Sequence, residues 1–394
     1  MKISELLKRS PATGMAVEAP AEETSGSAVL PPCHWSTSVA LDPRHRPQSP
    51  DRPSSTVRRE WCRYPQEAYL LDATGVRYRR LLASEVARLQ GFPEDWGRAA
   101  GLGDLDLIRG YGNAVPPPLA EAIVSTLAAR TPGGIRTTVE ICAGFGGIAL
   151  GASRARDAAD RPLDVEHLAL VDFWKPAADV LRTTGPWSRE RVHVADVRAF
   201  DWSFLAGEVD LLSGGPPCQP WSLGGRGMGA EDDRDLLGHT PELVSWLRPR
   251  AFVFENVPGL MSWANIEYAE WLVQRLQEPG YGVAVGKFNA ADFGVPQVRR
   301  RIFIVGIRDV ENRDVHAFFD ALASRRTHAD PRRALPPGRQ PWVSLGEALP
   351  GWDAVAAGWR RWIALPRPGA LEEVLMPTDP TQTTEVVPAI GGDG

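Results

Sequence analysis

The sequence predicts an α/β fold, a doubly wound and mostly parallel sheet with helices on both faces. Two observations predict it. From Thr137 onward, short apolar runs that read as strands alternate with stretches that read as helices. The runs end in glycines or lone carboxylates, where such sheets collect ligands beyond the carboxyl ends of their strands. The length of 394 residues, with 43% hydrophobic content, suffices for one large domain plus a smaller one.

Residues 1 to about 60 are rich in Pro, Ser, Ala and charge, and Arg44 to Arg52 reads as loop. Lys2 to Lys8 reads as an isolated helical turn. From Arg80 the character changes. Leu82 to Pro93 is a helix with Ser84 as N-cap, apolar Val86, Ala87 and Leu89, and Gly91 and Pro93 as a stop. Tyr111 to Val124 is a turn leading into a helix that runs to Ala129, with Pro116 to Pro118 near its first turn. Thr131-Pro-Gly-Gly breaks the chain. The strands expected next are Thr137–Ala143, His167–Val171, Val192–Val194, Val209–Leu212, Ala251–Phe254, Gly282–Phe288 and Arg301–Val305. The helices between them include Gly147–Leu150, Lys175–Arg182 and Glu242–Leu247. After Asp309 the pattern weakens. Arg325, Arg326, Arg332, Arg333 and Arg339 face only Asp330 within their span, and Trp342, Trp352, Trp359 and Trp362 follow. That composition fits a solvated loop with a small satellite core as well as it fits a DNA-contacting lobe.

A net charge of -5 means that nucleic-acid binding has to come from a local basic patch. Cys33, Cys62, Cys142 and Cys218 form no CxxC pair and read as reduced thiols of a cytosolic protein. The seven histidines are scattered, so no metal site is expected. The charged N-terminal stretch does not read as a signal peptide, and no apolar run is long enough to span a membrane.

The richest stretch is Val209 to Leu223, Val-Asp-Leu-Leu-Ser-Gly-Gly-Pro-Pro-Cys-Gln-Pro-Trp-Ser-Leu. Gly214 and Gly215 end a short strand, and Pro216 and Pro217 stiffen the backbone before Cys218. A thiol at the tip of a strand on a stiff loop suits a nucleophile that meets a planar electrophile. The plainer reading is a turn holding a small buried residue. Glu140-Ile-Cys-Ala-Gly-Phe-Gly-Gly is a strand-to-helix turn whose glycines admit a ligand near a helix N-terminus. Asp172, at the next strand end, can accept ribose hydroxyls, and Phe173 can pack on an adenine. Asp196, at the third strand end, can accept an adenine amino group. Each carboxylate could equally cap a helix. Phe252-Val-Phe-Glu-Asn-Val ends an apolar strand in Glu255, suited to hold a proton at the core edge. Gln297-Val-Arg-Arg-Arg-Ile places Arg299 and Arg301 on one face of an entering strand, able to bind a phosphate or base carbonyl, or to form a solvated basic edge.

Together these blocks resemble the DNA cytosine-5 methyltransferase family over most of residues 79 to 308. Glu140 to Gly147 looks like its S-adenosylmethionine motif, Gly215-Pro-Pro-Cys-Gln-Pro its nucleophile loop, Glu255-Asn-Val its ENV motif and Gln297-Val-Arg-Arg-Arg its QxRxR motif. Arg88-Leu-Gln-Gly-Phe-Pro and Gly112-Asn-Ala-Val-Pro look like its last two motifs. The resemblance implies a class I, Rossmann-like S-adenosylmethionine-dependent methyltransferase with a small target-recognition lobe. It implies a covalent Cys218–C6 intermediate on a flipped-out cytosine in a specific DNA sequence, with Glu255 holding N3 and the exocyclic amine and Arg301 holding O2; Arg299 joins them as a catalytic residue. The cofactor would lie against Cys142, Ala143, Gly144, Phe145, Gly146, Gly147, Asp172, Phe173, Asp196, Val197 and Pro216, and against Asn113, Ala114 and Val115. Gln219, Ser222, Arg226 and Arg234 would contact DNA, within or beside the segment Gly225 to Leu237 that resembles the family's closing loop. The implied partner is double-stranded DNA, met by a monomer in the cytoplasm of a bacterium or encoded by a phage, in a restriction-modification setting. A transfer-RNA cytosine-5 methyltransferase of the same fold, or a non-catalytic DNA-binding paralogue, would share these motifs.

Three departures stand out. The last two motifs precede the glycine turn, so beside the family the chain looks circularly permuted. Glu140 and Cys142 stand where the family more often has Asp and Phe, and Trp221 where Phe is commoner. The division expected is residues 1–78 as a Pro/Ser-rich segment sharing in the recognition lobe, 79–130 as the permuted motifs packing on the catalytic domain, 131–308 as that domain and 309–394 as the recognition lobe. Thr378-Asp-Pro-Thr and Asp51-Arg-Pro-Ser-Ser-Thr resemble stretches of that lobe, with base specificity assigned mainly to residues 309–394. The helix Leu119 to Ala129 has to lie beside the strand Thr137 to Ile141, and Gly112-Asn-Ala-Val near Gly144 to Gly147.

Overall fold

The structure, a computed structural model, describes residues 48–61, 69–71, 78–217 and 235–349. Seven strands form the main sheet: β1 (Thr137–Ile141), β2 (Glu166–Asp172), β3 (Val192–Val194), β4 (Leu211–Gly214), β5 (Ala251–Asn256), β6 (Tyr281–Asn289) and β7 (Arg300–Arg308). Their order is β3-β2-β1-β4-β5-β7-β6. All pairings from β3 to β5 are parallel, whereas β7 runs antiparallel to both β5 and β6. The reversal puts the start of β7, the Arg-Arg-Arg run, at the same edge as the carboxyl ends of the other strands. That edge carries the glycine turn, Asp172, Gly214 and Glu255.

Side chains alternate between two cores, as a pleated strand requires. Leu212, Phe252 and Phe254 face one core, closed by α6 (Thr240–Leu247) and α7 (Ile266–Gln277). Leu211, Ala251 and Val253 face the other, closed by α3 (Pro117–Arg130), α4 (Gly147–Arg154) and α8 (Asn312–Ser324). Both faces are buried, so the central strands read as continuous apolar runs. A third core gathers α1 (Ala83–Gln90) and α2 (Asp104–Asn113) around Phe92, Trp96 and Tyr111, and takes in Phe145 of the glycine turn and Ala177 and Val180 of α5 (Lys175–Thr184).

Residues 79–130 are joined tightly to the sheet domain. A Cβ on Gly147 would lie 2.0 Å from the Val115 carbonyl oxygen, and one on Gly151 2.5 Å from Ala120 Cβ. Only glycine lets α4 lie this close to the start of α3. Helix α3 packs on α4 and α8, in a core that it shares with Leu211 of β4, the strand next to β1.

Four expectations need correction. Residues 48–61 are not loose: Val57 and Trp61 are buried, and Ser54 forms a parallel bridge with Gln297. A boundary between 78 and 79 therefore separates parts of one core. The boundary at Asp309 cuts another, because α8 buries Val315, Phe318 and Leu322 in the core beneath the sheet. Its apolar spacing was hidden among the charged residues of Asn312 to Asp320. Helix α1 is capped by Glu85, whose carboxylate accepts the Leu82 amide at 2.8 Å, and not by Ser84. The helices α2 and α7 were not anticipated, since Gly110 and Gly112 disguise the first and polar residues dilute the second. The expected turn Lys2 to Lys8, residues 350–394 and the stretch from Thr378 lie outside the described residues.

Candidate active site at the carboxyl edge of the sheet

At one end of the edge, Cys142 takes a left-handed conformation (φ 48°) that swings the chain out of β1 and into the glycine turn. Glu140 is buried beneath the turn and accepts the Ala149 amide at 2.7 Å, bracing the first turn of α4. Burial with no cation beside it pushes its carboxyl up to about 8, so it is protonated at neutral pH. The Cys142 thiol is likewise pushed up, by burial and by the carboxylates of Asp172, Asp196 and Glu140. Asp172 accepts the Gly144 and Trp174 amides, each at 2.7 Å, which fixes the turn to the end of β2. A carboxylate has about four acceptor sites, so capacity for two hydroxyls remains. Phe173 beside it is 77% exposed, an open flat ring at the rim. Gly144 leaves open backbone next to a helix N-terminus, whereas Gly146 and Gly147 are covered, the first by Leu181 and Trp187 and the second by the Val115 carbonyl. These features fit an adenosyl group, with Asp172 toward its ribose and Phe173 toward its adenine.

Other residues expected around the cofactor have different surroundings. Phe145 is wholly buried, edge-on to Tyr111 at 5.3 Å and stacked on Trp174 at 6.1 Å, and its carbonyl accepts Trp96 Nε1 at 2.9 Å. It pins the turn to the permuted segment instead of lining a pocket. Ala143 is buried against α5. Val197 packs in the core, and its carbonyl accepts Trp202 Nε1 at 2.9 Å. Asp196 engages Arg198, backbone and guanidinium, through both oxygens, the shortest contact being 2.6 Å. Of the Asn-Ala-Val turn, Asn113 is exposed, while Ala114 and Val115 are buried against the glycine turn.

At the other end, Glu255 on β5 and Arg301 on β7 meet with Arg301 Nε 2.7 Å from Glu255 Oε1, both side chains largely buried. The approach is close but misdirected, because the buried Oε1 makes no hydrogen bond. An ion-paired carboxylate oxygen with no aligned hydrogen bond keeps acceptor capacity for a donor. Gly215 lies alongside, where a Cβ would stand 3.4 Å from Glu255 Oε2. Asn256 Nδ2 donates to the Pro216 carbonyl at 3.1 Å, fixing the loop that leads to Cys218. Cys218, Gln219, Ser222, Arg226 and Arg234 lie outside the described residues.

Arg299 does not join Arg301. It is 1% exposed, and its guanidinium donates to the carbonyls of Val57 (2.8 Å) and Gly112 (2.9 Å). Sequence alternation had put both arginines on one face. However, the regular strand starts only at Arg300, so alternation does not extend back to Arg299. Arg299 is a positioning residue. Gln297 works beside it: its Oε1 accepts the Val57 amide at 2.9 Å, and its Nε2 donates to the Leu89 carbonyl at 2.9 Å and to Gln90 Oε1. Gln90 in turn donates to the carbonyls of Tyr111 (2.8 Å) and Ala114 (2.6 Å). These roles of Gln90, Gln297 and Asn256 were missed, since a buried amide between backbone segments has no spacing signature in sequence. Among the described residues no cluster of three or more His, Cys, Asp or Glu could hold a metal, and no helix is long and apolar enough to cross a membrane.

A doubly wound sheet with one reversed strand, a glycine turn with a strand-end carboxylate, and a buried Glu–Arg pair across the same edge define an α/β protein of the nucleotide-cofactor type with a second polar cluster at that edge. The sequence profile of the C-5 cytosine-specific DNA methylase family matches residues 36–129 and 136–333, and the chain belongs to that family. It is similar to the type II methyltransferase M.NgoMIV of Neisseria gonorrhoeae (36% identity over 174 residues, 44% of this chain and 52% of that protein). It is also similar to the type II methyltransferase M.NaeI of Lentzea aerocolonigenes (36% over 171 residues, 43% and 40%). The chain thus spans about half the length of the curated relatives it matches. Among solved structures, it is similar to a DNMT2 mutant of Spodoptera frugiperda (20% identity, TM-score 0.33, 44% of this chain and 50% of that one).

Proposed function

We propose that the protein transfers a methyl group from S-adenosylmethionine to C5 of a flipped-out cytosine in double-stranded DNA. The observation that carries this reading is the buried Glu255–Arg301 pair, with a carboxylate oxygen lacking a hydrogen bond, beside the loop that leads to Cys218. A cytosine edge offers matching groups: the exocyclic amine donates to a Glu255 oxygen, N3 accepts from the Glu255 carboxyl in its acid form, and O2 accepts from Arg301. Type II methyltransferases among the relatives support DNA as the substrate.

In this reading Asp172, Phe173 and the glycine turn hold S-adenosylmethionine, which supplies an electrophilic methyl group. The Cys218 thiolate adds to C6, forming an S–C6 bond and moving the ring's electron pair toward C5. Glu255, by giving its proton to N3, and Arg301, by donating to O2, offset the charge that develops on the ring. C5 takes the methyl group, its proton leaves to a base, and the S–C6 bond breaks to restore the ring and the thiolate. Gly214 and Gly215 leave space for the flat ring, and Asn256 keeps the loop backbone in place.

Incubating the protein with labelled S-adenosylmethionine and either duplex DNA or transfer RNA, followed by bisulfite sequencing, tests the proposal. Label at cytosine in DNA is expected. Label in transfer RNA alone would assign the other substrate class, and label in neither would overturn the reading.

A further inference from the structure

Resting on that reading, we propose that a basic cleft at the sheet edge, beside the base pocket but on the opposite face of β7, receives a backbone phosphate of the nucleic acid and does not read bases. The cleft has a volume of about 310 Å³ and is lined by Arg300, Arg326, Arg333 and Arg339 together with Asp292 and Asp330. Arg300 follows the buried Arg299 and precedes Arg301, so strand alternation turns it away from Glu255. It lies opposite Asn289 at the carboxyl end of β6.

The acids of the cleft are already engaged. Asp330 pairs with Arg332 at 2.7 Å, and Asp292 accepts Trp342 Nε1 at 2.8 Å. Arg326 faces Asp292 at 3.5 Å and lies over the Phe288 ring at 5.3 Å, so its guanidinium is held in place although its buried Nε makes no hydrogen bond. Arg339 donates to the Ala323 carbonyl at 3.2 Å, which orients it as well. Arg300 and Arg333 are exposed; each lies in the field of a cleft acid, Asp292 and Asp330 respectively, without forming a close ion pair with a described carboxylate. Positive charge therefore accumulates here on a chain of net charge -5.

Shape decides between phosphate and base. Reading a base edge requires side chains that project into a groove. A recessed cleft lined by guanidinium groups cannot enter a groove, but the phosphate ridge of a nucleic acid can enter the cleft. Arginines are also the residues that bind phosphate oxygens in pairs. The assignment alters the expectation for residues 309–394, because their described part would position the duplex without contributing specificity.

The test is the salt dependence of duplex binding by fluorescence anisotropy, for the wild-type chain and an Arg300→Ala/Arg333→Ala variant. S-adenosylhomocysteine titration calorimetry serves as the folding control. With cofactor binding kept, the slope of log K against log salt should fall by about 0.9, the loss of one phosphate contact, and affinity should drop equally for duplexes of different sequence. An unchanged slope would overturn the cleft while leaving methylation intact, and a loss confined to one sequence would make it a base reader. Wild-type affinity for inorganic phosphate with no change in the duplex slope would reduce it to a small-anion site. A wild-type chain that bound no duplex at all would overturn the DNA reading, and this proposal with it.

Discussion

At the cofactor end of the sheet edge, the buried carboxyl of Glu140 has only amide donors, stays protonated near neutrality and holds α4. At the base end, Glu255 faces Arg301 across two strands and retains an oxygen without a hydrogen bond. Both are glutamates at carboxyl ends of parallel strands, and what differs is the partner. Glu140 is satisfied within the fold, so its role is structural. Glu255 is incompletely satisfied, and that incompleteness is what a substrate can use. The arginines differ in the same way, since Arg299 is bound by carbonyls of two N-terminal segments, whereas Arg301 meets the carboxylate of the site and the carbonyl of its neighbour Arg300.

The largest effect should come from breaking the base end alone. Cys218→Ala is expected to reduce methyl transfer to background while S-adenosylhomocysteine affinity stays within twofold, roughly 0.4 kcal/mol, as read by calorimetry. Arg301→Ala or Glu255→Gln should lower kcat by about 10²–10³, the usual loss for one charge-stabilising group, again without weakening the cofactor. Comparable losses in cofactor binding would mean that the two ends are not separable.

Breaking the clamp should look different. Arg299→Ala removes a buried side chain and leaves the Val57 and Gly112 carbonyls without donors, a destabilisation of about 3–5 kcal/mol in urea titration. Cofactor affinity should fall too, because the Asn-Ala-Val turn loses its support. A variant as stable as wild type but impaired in kcat would make Arg299 a catalytic residue after all.

At the cofactor end, Asp172→Ala should weaken S-adenosylhomocysteine binding by about 1.5–3 kcal/mol, the worth of hydrogen bonds to a charged group. Unchanged affinity would move the ribose partner elsewhere. Glu140 gives the smallest effect, and its sign is fixed by its raised pKa. The native state holds the proton that the unfolded chain releases, so stability should fall as pH rises from about 4.5 to about 8. Glu140→Gln should flatten that decline in thermal melts, and an equal decline in both proteins would show that Glu140 is ionised.

Much of this was legible in the sequence because strand-end chemistry is local. A glycine turn, Asp172, Glu255 and Arg301 each sit at the end of an apolar run, and each strand of the seven-stranded sheet was found within a few residues of its observed limits, whereas the short pairs Tyr69–Leu71 with Tyr78–Arg80 and His328–Ala329 with Gln340–Pro341 were not anticipated. What was not legible depends on distant partners. Phe145 looked like part of a ligand loop until Tyr111, Trp96 and Trp174 closed around it. Arg299 looked like a second Arg301 until Val57 and Gly112 supplied its acceptors. The permuted motif order could be read directly, but the contact of Gly147 with Val115 that accommodates it required the folded chain.

The separation of the two ends is tested most directly by covalent trapping. Duplex DNA carrying 5-fluorocytosine and S-adenosylmethionine are mixed with the wild-type and Cys218→Ala proteins, and denaturing gels are followed by peptide mapping. The wild-type chain should form a stable adduct through Cys218, because fluorine cannot leave C5 as a proton does. The alanine variant should form none while still binding S-adenosylhomocysteine. An adduct in the variant, or one mapped to a different residue, would contradict the assignment of the base end.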